Sequence, residues 1–356
     1  MRVVILGSAS SPHVLRWANS IYKTGIRVDL VTIHPLKGNI NKGVNLIELN
    51  YPKPYGYILN IPKFRSLLKK LRPDIIHAFY ALGYGTLATY SGFSKIILSV
   101  MGSDIYDDIH NPILKSIVIN NIKNAKIVCS TSQTMIKQIE LVTGLSSNKI
   151  RYTPYGIDTK KFYPRGVEEK KDEGFLVFGT VKFLEHKYAI DVLIKAFALF
   201  IERNNHINSR LVIVGDGSEI GSLKNLSDEL KVSHLCEFLG FLNHDSIPPI
   251  LNSFDIYLAL SRLDSESFGV AILEASSSEV PVIVSDKGGL PEIVENEVTG
   301  IVVESENLMS IVKAMELLAN NEILRNQLGS AGRRRVEEHY SWDSSVNKMV
   351  ELYNEL

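Results

Sequence analysis

The 356-residue chain has few cysteines and no long apolar run. Its two cysteines, Cys129 and Cys236, lack metal-ligand spacing and look like reduced core thiols of a cytosolic protein. No stretch reaches the roughly 18 apolar residues that a membrane-spanning helix needs. The apolar run near the N-terminus has four residues, too few for a signal peptide. The sequence therefore predicts neither a spanning helix nor a signal peptide.

The chain also lacks an excess of charge of either sign. Lys+Arg and Asp+Glu both count 39, so the formal net charge is zero. This balance argues against a dedicated nucleic-acid-binding protein, and no nucleic acid is expected as a partner. Hydrophobic residues make up 45% of the chain, which is ordinary for a globular protein, and the length favours two domains.

Short apolar runs rich in β-forming residues alternate with helical patterns. Strands are predicted at 2–6, 27–33, 45–49, 74–78, 96–100, 126–130, 150–153, 175–180, 211–215, 235–239, 255–260 and 282–285. Helices are predicted at 13–23, 111–122, 268–278 and 342–355, among others. Strands that alternate with helices form βαβ units, so the fold class is α/β with mostly parallel sheets.

One polar segment, "PYGIDTKKFYPRGVEEKKDEG" at 154–174, interrupts this alternation and is predicted to be a linker. It divides the chain into an N-terminal domain at 1–160 and a C-terminal domain at 161–340, followed by a helix at 341–356. Ligands of open parallel sheets bind outside the carboxyl ends of the strands. The cleft between two such domains is therefore the expected site.

The stretch "SRLDSESFGVAILEASSSEVPVIVSDKGGLPEIVENEVTG" at 261–300 contains two glutamates eight residues apart. A helix over 268–278 would place Glu266 just before its N-terminus and Glu274 in its second turn. Eight helical residues span about 12 Å, whereas paired glycosidase carboxylates stand about 5–9.5 Å apart. The two acids are therefore better placed to hold opposite ends of one long ligand than to act on one bond.

The start of this helix suggests what that ligand is. A helix N-terminus carries unpaired N–H groups and partial positive charge, which suit a phosphate, and Gly269 lets an anion approach the backbone. A nucleotide sugar has the matching layout. We assign Glu266 to sugar hydroxyls, the amides of Phe268, Gly269 and Val270 to phosphate, and Glu274 to ribose. Alternatively, Glu266 is a solvated loop acid and Glu274 lies on a wet helix face.

The same stretch resembles a motif of the retaining glycosyltransferases of family 4, in group 1. That motif has Glu, seven residues and a second Glu, followed by Pro-Val, Ser-Asp and Gly-Gly-x-Pro-Glu. The matching residues here are Glu266, Glu274, Pro281, Val282, Ser285, Asp286, Gly288, Gly289, Pro291 and Glu292. "TPYGIDTKKFYP", "LVIVGDG", "FLGFL" and "SWDSSVNKMVELYNEL" also look like family segments in family order.

The resemblance covers the second domain strongly and the first more loosely. It implies the GT-B fold, in which two Rossmann-like domains face each other across a cleft and the C-terminal helix packs back on the first domain. It also implies that Gly240, Phe241 and Leu242 meet the donor's base. Ser261, at the start of the motif stretch, is taken as donor-binding as well.

A basic pair in family members contacts the donor phosphates. In "FGTVKFLEHKYAIDVLIKAF", Lys187 matches the family lysine. The family arginine follows a glycine, where this chain has Thr180, so Lys182 is the nearest substitute. Two ammonium groups could neutralise the leaving pyrophosphate, so no metal or cofactor is expected. Alternatively, both lysines are solvated charges on a polar loop, and the glycines at 288 and 289 form an ordinary strand-to-helix turn.

In the first domain, the loop after the first strand, "GSASSPH", lacks the dinucleotide fingerprint and has small residues that let a ligand approach. Gly7 is predicted to lie against the donor. Ser10, Ser11 and His13 are predicted to bind the acceptor, because this loop helps to bind it in the family. Trp17 is expected in the core.

Two further first-domain residues follow predicted strands. His77 lies near the end of one strand and is predicted to bind the acceptor. Asp104, in "MGSD", is predicted to be catalytic, although it could equally cap the next helix or turn. Many family members have a histidine where this chain has Met101, so that histidine's role cannot be transferred here.

The segment "IPKFRSLLKKLR" at 61–72 has an amphipathic, basic pattern. Such a helix can lie on an anionic membrane surface, and a packed helix with a solvated basic face is the alternative.

The sequence therefore predicts a retaining glycosyltransferase that moves a sugar from a nucleotide-diphosphate donor to a saccharide or lipid-linked saccharide hydroxyl. The reaction would serve surface polysaccharide or glycoconjugate synthesis. The expected location is the cytoplasm, with a candidate contact at the inner face of the cell membrane. The alternatives are a nucleotide-sugar epimerase of the same fold and a non-catalytic nucleotide-sugar-binding subunit. Neither the nucleotide, the sugar nor the acceptor can be read from the sequence.

Overall fold

The computed structural model describes residues 1–164 and 174–356, so the predicted linker at 154–174 lies partly outside the described residues. The chain forms two compact units. The first comprises Met1–Pro154 together with Ser345–Leu356, and the second comprises Tyr155–Ser344. The last residues of the chain thus belong to the first unit.

Among the described residues, the first unit contains a seven-stranded sheet in the order β3-β2-β1-β4-β5-β6-β7. Every pair of neighbouring strands is parallel. The strands are β1 Arg2–Leu6, β2 Arg27–Thr32, β3 Asn45–Glu48, β4 Ile75–Phe79, β5 Ile96–Ser99, β6 Ile127–Ser130 and β7 Ile150–Tyr152. The strand order reverses between β1 and β4, and ligands of such sheets bind at this reversal.

The second unit repeats the plan with six described strands in the order β10-β9-β8-β11-β12-β13, again all parallel. They are β8 Leu176–Val181, β9 Ser209–Val214, β10 Cys236–Gly240, β11 Ile256–Ala259, β12 Val282–Ser285 and β13 Ile301–Val303. Here the order reverses between β8 and β11. Every predicted strand is present, whereas β13 was not predicted.

The helices lie between the strands, except for the last three, which follow β13. They are α1 Pro12–Lys23, α2 Gly56–Leu59, α3 Ile61–Leu71, α4 Gly83–Thr89, α5 Ser103–Tyr106, α6 Pro112–Asn124, α7 Gln133–Thr143, α8 Ile190–Arg203, α9 Ile220–Glu229, α10 Ile247–Leu251, α11 Val270–Ser277, α12 Leu290–Ile293, α13 Leu308–Ala319, α14 Glu322–His339 and α15 Trp342–Asn354. Alternating βα elements bury the apolar strand residues under helices on both faces of a sheet. Within the described ranges, no helix is long and apolar enough to cross a membrane.

The packing of helix α3 contradicts one part of the membrane hypothesis. Its apolar side packs into the first unit's core, where Phe64 and Leu68 are buried and Ile61, Leu67 and Leu71 are partly buried. That side is therefore covered by protein and cannot enter a bilayer. Contact of the exposed basic side with a membrane stays a prediction.

Candidate active site

Two of the three predicted catalytic residues of the second unit, Lys182 and Glu266, meet where its strand order reverses. Lys182 directly follows β8, and Glu266 lies in the loop after β11. Lys182 Nζ lies 3.0 Å from Glu266 Oε1, with side-chain exposures of 10% and 9%. Burying a charge is costly unless the charge is paired, so each of these two side chains stabilises the buried charge of the other. The alternatives of a solvated loop acid and a solvated lysine are wrong for these two residues.

The loop that carries Glu266 rests on the double glycine of the motif. Gly289 N–H donates to the Glu266 carbonyl at 3.0 Å, and Gly288 N–H donates to Asp264 Oδ1 at 3.1 Å. A Cβ added at Gly288 would lie 2.1 Å from the Glu266 carbonyl oxygen, and Gly288 has φ +55°. The two glycines therefore do more than form an ordinary turn, because only residues without a side chain let the backbones approach this closely.

The Lys182 loop is held by a second pair of glycines. Lys182 N–H donates to the Val214 carbonyl at 3.0 Å. A Cβ at Gly215 would lie 1.8 Å from the Lys182 carbonyl oxygen, and one at Gly217 would lie 2.4 Å from that of Leu184. "VGDG" thus provides the space in which the loop after β8 folds over the end of β9.

Lys187 lies on the same side of the site as Lys182. Its Nζ donates to the Ser265 carbonyl at 3.3 Å, next to Glu266 in the chain. The ring centroid of Tyr188 lies 4.9 Å from Lys182 Nζ and 5.1 Å from Lys187 Nζ. An aromatic face attracts cations, so Tyr188 helps to keep two positive charges close together.

The start of α11 presents backbone rather than side chains. Gly269 occupies the N-cap position with φ +88°, and a Cβ there would lie 2.7 Å from Leu290 Cδ2. The Phe268 side chain is buried against Tyr155 and Tyr340, with ring centroids 5.9 and 6.0 Å apart. N–H groups in the first turn of a helix have no partner within that helix. Phosphate binding by the amides of residues 268–270 stays a prediction.

Glu274, the second acid of the motif, is buried inside α11 rather than exposed on a wet face. Its Oε1 lies 2.7 Å from Nε2 of His244, a residue that the sequence interpretation did not include. His244 follows Gly240, Phe241 and Leu242, the predicted base contacts. Phe241 is 68% exposed and therefore accessible to a ligand.

Ser261 is placed differently from its prediction. Its side chain is buried, and its carbonyl accepts hydrogen bonds from Ser285 Oγ at 2.6 Å and Ser305 Oγ at 3.3 Å. A direct contact with the donor does not fit this burial. Ser261 instead joins the loop after β11 to the loops after β12 and β13.

In the first unit, the loop after β1 is held by contacts with α1 and with the loop after β2. Gly7 is buried, and a Cβ there would lie 2.7 Å from Val14 Cγ1, so packing of α1 accounts for the glycine. Ser10 Oγ donates to the Pro35 carbonyl at 2.7 Å, and Ser11 N–H donates to the Ser8 carbonyl at 2.9 Å. His13 is exposed on α1, whereas Trp17 is buried as predicted. Ligand contacts of the loop stay predictions.

His77 does not face a ligand site. Its ring is fully buried, with Nε2 2.7 Å from Ser99 Oγ and Nδ1 2.7 Å from the Tyr353 hydroxyl on α15. Burial lowers the pKa of His77 to about 3. The predicted acceptor contact is therefore wrong, and the imidazole instead joins the sheet to the last helix of the first unit.

Asp104 is likewise fully buried. Its carboxylate accepts hydrogen bonds from the N–H groups of Ala81 (2.7 Å), Met101 (3.0 Å) and Gly102 (2.9 Å). Burial raises its pKa to about 6 in spite of these donors. Asp104 thus fixes the loops after β4 and β5 and is not placed to contact substrate. It lies inside α5, whose N-cap is Gly102, so it does not cap that helix.

Tyr80, next to these loops, was also absent from the sequence prediction. It follows β4 at the strand-order reversal of the first sheet and has φ +82°, unusual for a bulky residue. Its hydroxyl donates to Asp108 Oδ2 at 2.7 Å. No sequence pattern marks such a backbone strain.

Across 1–164 and 174–356, no group of three His, Cys, Asp or Glu residues could hold a metal ion.

Comparison with known proteins identifies the family. A model described as glycosyl transferases group 1 matches residues 166–335, and one described as glycosyl transferase 4-like matches residues 2–132. An uncharacterized glycosyltransferase of Methanocaldococcus jannaschii is 26% identical over 371 residues, covering 96% of this chain and 93% of its own.

Two further matches are a characterised relative and a solved structure. A GDP-mannose-dependent monoacylated α-(1-6)-phosphatidylinositol monomannoside mannosyltransferase of Corynebacterium glutamicum is 31% identical over 234 residues, 62% of this chain and 60% of that protein. The Anabaena protein HepE, solved in complex with UDP, superimposes with a TM-score of 0.85 at 16% identity over 100% of both chains. The chain therefore belongs to the group 1, family-4-like glycosyltransferases and has their GT-B fold of two Rossmann-like units.

Proposed function

We propose that this glycosyltransferase moves a sugar from a nucleotide-diphosphate donor to a saccharide or lipid-linked saccharide hydroxyl, with retention of anomeric configuration. The observation that carries the proposal is the buried Lys182–Glu266 pair at the carboxyl ends of β8 and β11, next to the start of α11. The relatives add support, since one is described as GDP-mannose-dependent and another was solved with UDP. Because these two nucleotides differ, the base preferred here stays open.

The arrangement suggests a division of roles. Lys182 and Lys187 would neutralise the charge that develops on the departing diphosphate, and Glu266 would accept a hydrogen bond from a sugar hydroxyl. The bond between the anomeric carbon and the phosphate oxygen breaks while the acceptor oxygen bonds to the same face of that carbon. The acceptor's proton passes to the leaving diphosphate, so no separate base is required. We propose that this proceeds without a metal.

The epimerase alternative requires acids and a histidine of the first unit for proton transfer. The ordered family segments count against this alternative, and fully buried His77 and Asp104 are not available for that transfer. The non-catalytic alternative predicts nucleotide binding without turnover. It is separated from the proposal by measuring hydrolysis of the donor in the absence of an acceptor.

The proposal is tested with a panel of nucleotide sugars on wild type, Lys182→Met and Glu266→Gln, with exposed Lys313→Met as the matched control. One donor should raise the melting temperature of the wild type and be turned over, with or without EDTA. Removing one stabilising charge should lower kcat by about 10²- to 10³-fold, while the control keeps wild-type activity. NMR of the product gives the anomeric configuration. Wild-type kcat in Lys182→Met, or inversion at the anomeric carbon, would contradict the proposed mechanism.

A further inference from the structure

The buried carboxylate of Glu274 is paired with a mostly exposed histidine. His244 Nε2 lies 2.7 Å from Glu274 Oε1, and the side-chain exposures are 58% and 8%. The two residues come from different elements, since Glu274 lies in α11 and His244 in the turn between β10 and α10. Gly240, the last residue of β10, and Phe241 lead into that turn, so the turn connects the predicted base contact directly to the predicted ribose contact.

The contact made by the other ring nitrogen, Nδ1, determines which tautomer His244 adopts. Lys161 Nζ lies 3.0 Å from His244 Nδ1, and Asp245 Oδ1 lies 2.6 Å from the same ammonium. An ammonium group only donates hydrogen bonds, so Nδ1 must accept one. The ring proton then lies on Nε2, which donates to Glu274. The ring centroid of Phe162 is 5.3 Å from that of the imidazole and limits its movement.

We infer that His244 is a positioning residue for recognition of the donor's ribose, acting through Glu274; this rests on the proposed function. A carboxylate has two oxygens, and a donor held on Oε1 fixes the direction in which Oε2 presents its lone pairs. Two vicinal ribose hydroxyls are the ligand chemistry that a fixed, buried acceptor selects, because it is left unpaired when a hydroxyl is missing. The site should therefore prefer ribonucleoside over 2′-deoxyribonucleoside diphosphates, and His244 should set that preference.

The test compares the Kd of UDP and dUDP, and of GDP and dGDP, by calorimetry on intact protein. The variants are Glu274→Gln, His244→Ala, His244→Gln and, as a matched control, exposed His234→Ala. Wild type and control should bind the ribonucleotide at least about tenfold more tightly. Glu274→Gln and His244→Ala should lose most of this ratio. His244→Gln, whose amide N–H can replace the Nε2 donor, should recover part of it.

A second readout does not depend on the ligand. Nitrogen-15 NMR of the imidazole should show a protonated Nε2 and an unprotonated, hydrogen-bond-accepting Nδ1, and Lys161→Met should change the Nδ1 signal. A His244→Ala protein that keeps the wild-type ribose ratio while Glu274→Gln loses it would overturn the inference and leave the proposed function intact. If no nucleoside diphosphate binds the wild type, the proposed function fails and the inference falls with it.

Discussion

At the scale of single residues, the buried His77 makes a specific contribution to pH-dependent stability. Its pKa is lowered to about 3 by burial, against an ordinary value near 6.5. Between these values the unfolded chain binds the proton and the folded chain does not, so stability rises with pH in this range. Each pH unit below about 6.5 should therefore cost up to about 1.4 kcal/mol, until the folded pKa is passed.

The measurement is urea unfolding of the first unit from pH 7 to pH 4.5, followed by the fluorescence of Trp17 in a Trp342→Phe background. His77→Gln should unfold at lower urea at pH 7 but depend less on pH, and exposed His110→Gln should follow the reference protein. The raised pKa of Asp104 acts in the opposite direction, because its folded form binds the proton more tightly. This contribution of Asp104 is the same in all the proteins compared, so it cancels from the difference between their pH curves. Parallel pH curves for His77→Gln and the reference would refute this account.

His77 also shows what could not be predicted from the sequence. The pattern correctly located Asp104 beyond the carboxyl end of a strand, where ligands bind, whereas His77 is the central residue of β4. Position along a strand does not reveal whether a side chain faces solvent or a neighbouring helix, and Tyr353, which contacts His77, lies 276 residues away in the chain. Glu266 was found because a motif of fixed spacing marks it, whereas Lys182 was found as the nearest substitute for a family arginine that this chain lacks. No motif of fixed spacing includes His244, because its partner Glu274 lies 30 residues further along the chain.

At the scale of elements, Gly215 decides whether the loop after β8 can fold over β9. It has φ +140°, and an added Cβ would meet the Lys182 carbonyl at 1.8 Å. Gly215→Ala should therefore destabilise the second unit by about 2–4 kcal/mol, within the range of severe single substitutions. It should also lower turnover, because the displaced backbone carries Lys182.

Gly221 in α9 is the matched control, because an added Cβ there meets nothing within 4 Å. Gly221→Ala should be neutral or stabilise by up to about 1 kcal/mol. Thermal unfolding of the second unit and donor turnover measure both effects. Equal stability and equal turnover in the two alanine variants would show that the loop tolerates movement at Gly215.

Element types and order could be predicted because apolar runs and helical periods alternate regularly along the chain. Boundaries were less certain: the predicted helix at 268–278 begins at Val270, since Gly269 adopts a positive φ at the N-cap. The strand β13, Ile301–Val303, was missed, and its neighbour β12 supplies the pairing. Short length alone does not account for this, because β7 also has three residues and was predicted.

At the scale of the whole molecule, a net charge of zero conceals an uneven surface. Helix α3 exposes Lys69 and Lys70, and α2, which packs against α3, exposes Ile58 and Leu59 next to Tyr55. Tyr55 is 75% exposed and Ile58 is 61% exposed. Exposed apolar side chains and lysines within one segment, residues 55–70, are the chemistry of peripheral contact with an anionic bilayer. A lipid-linked acceptor would be presented at such a surface.

The protein should therefore co-sediment with vesicles that contain about one-third phosphatidylglycerol and not with pure phosphatidylcholine vesicles. A lysine near an anionic surface contributes about 1 kcal/mol, so Lys69→Ala with Lys70→Ala should weaken binding by roughly 30-fold. Ile58→Ser with Leu59→Ser should weaken it at any salt concentration, whereas Ile323→Ser, an equally exposed site in the second unit, should not. If vesicle binding is equal in all these variants, the surface around α2 and α3 does not contact membrane. The lysines of α3 are then a solvated face of a packed helix.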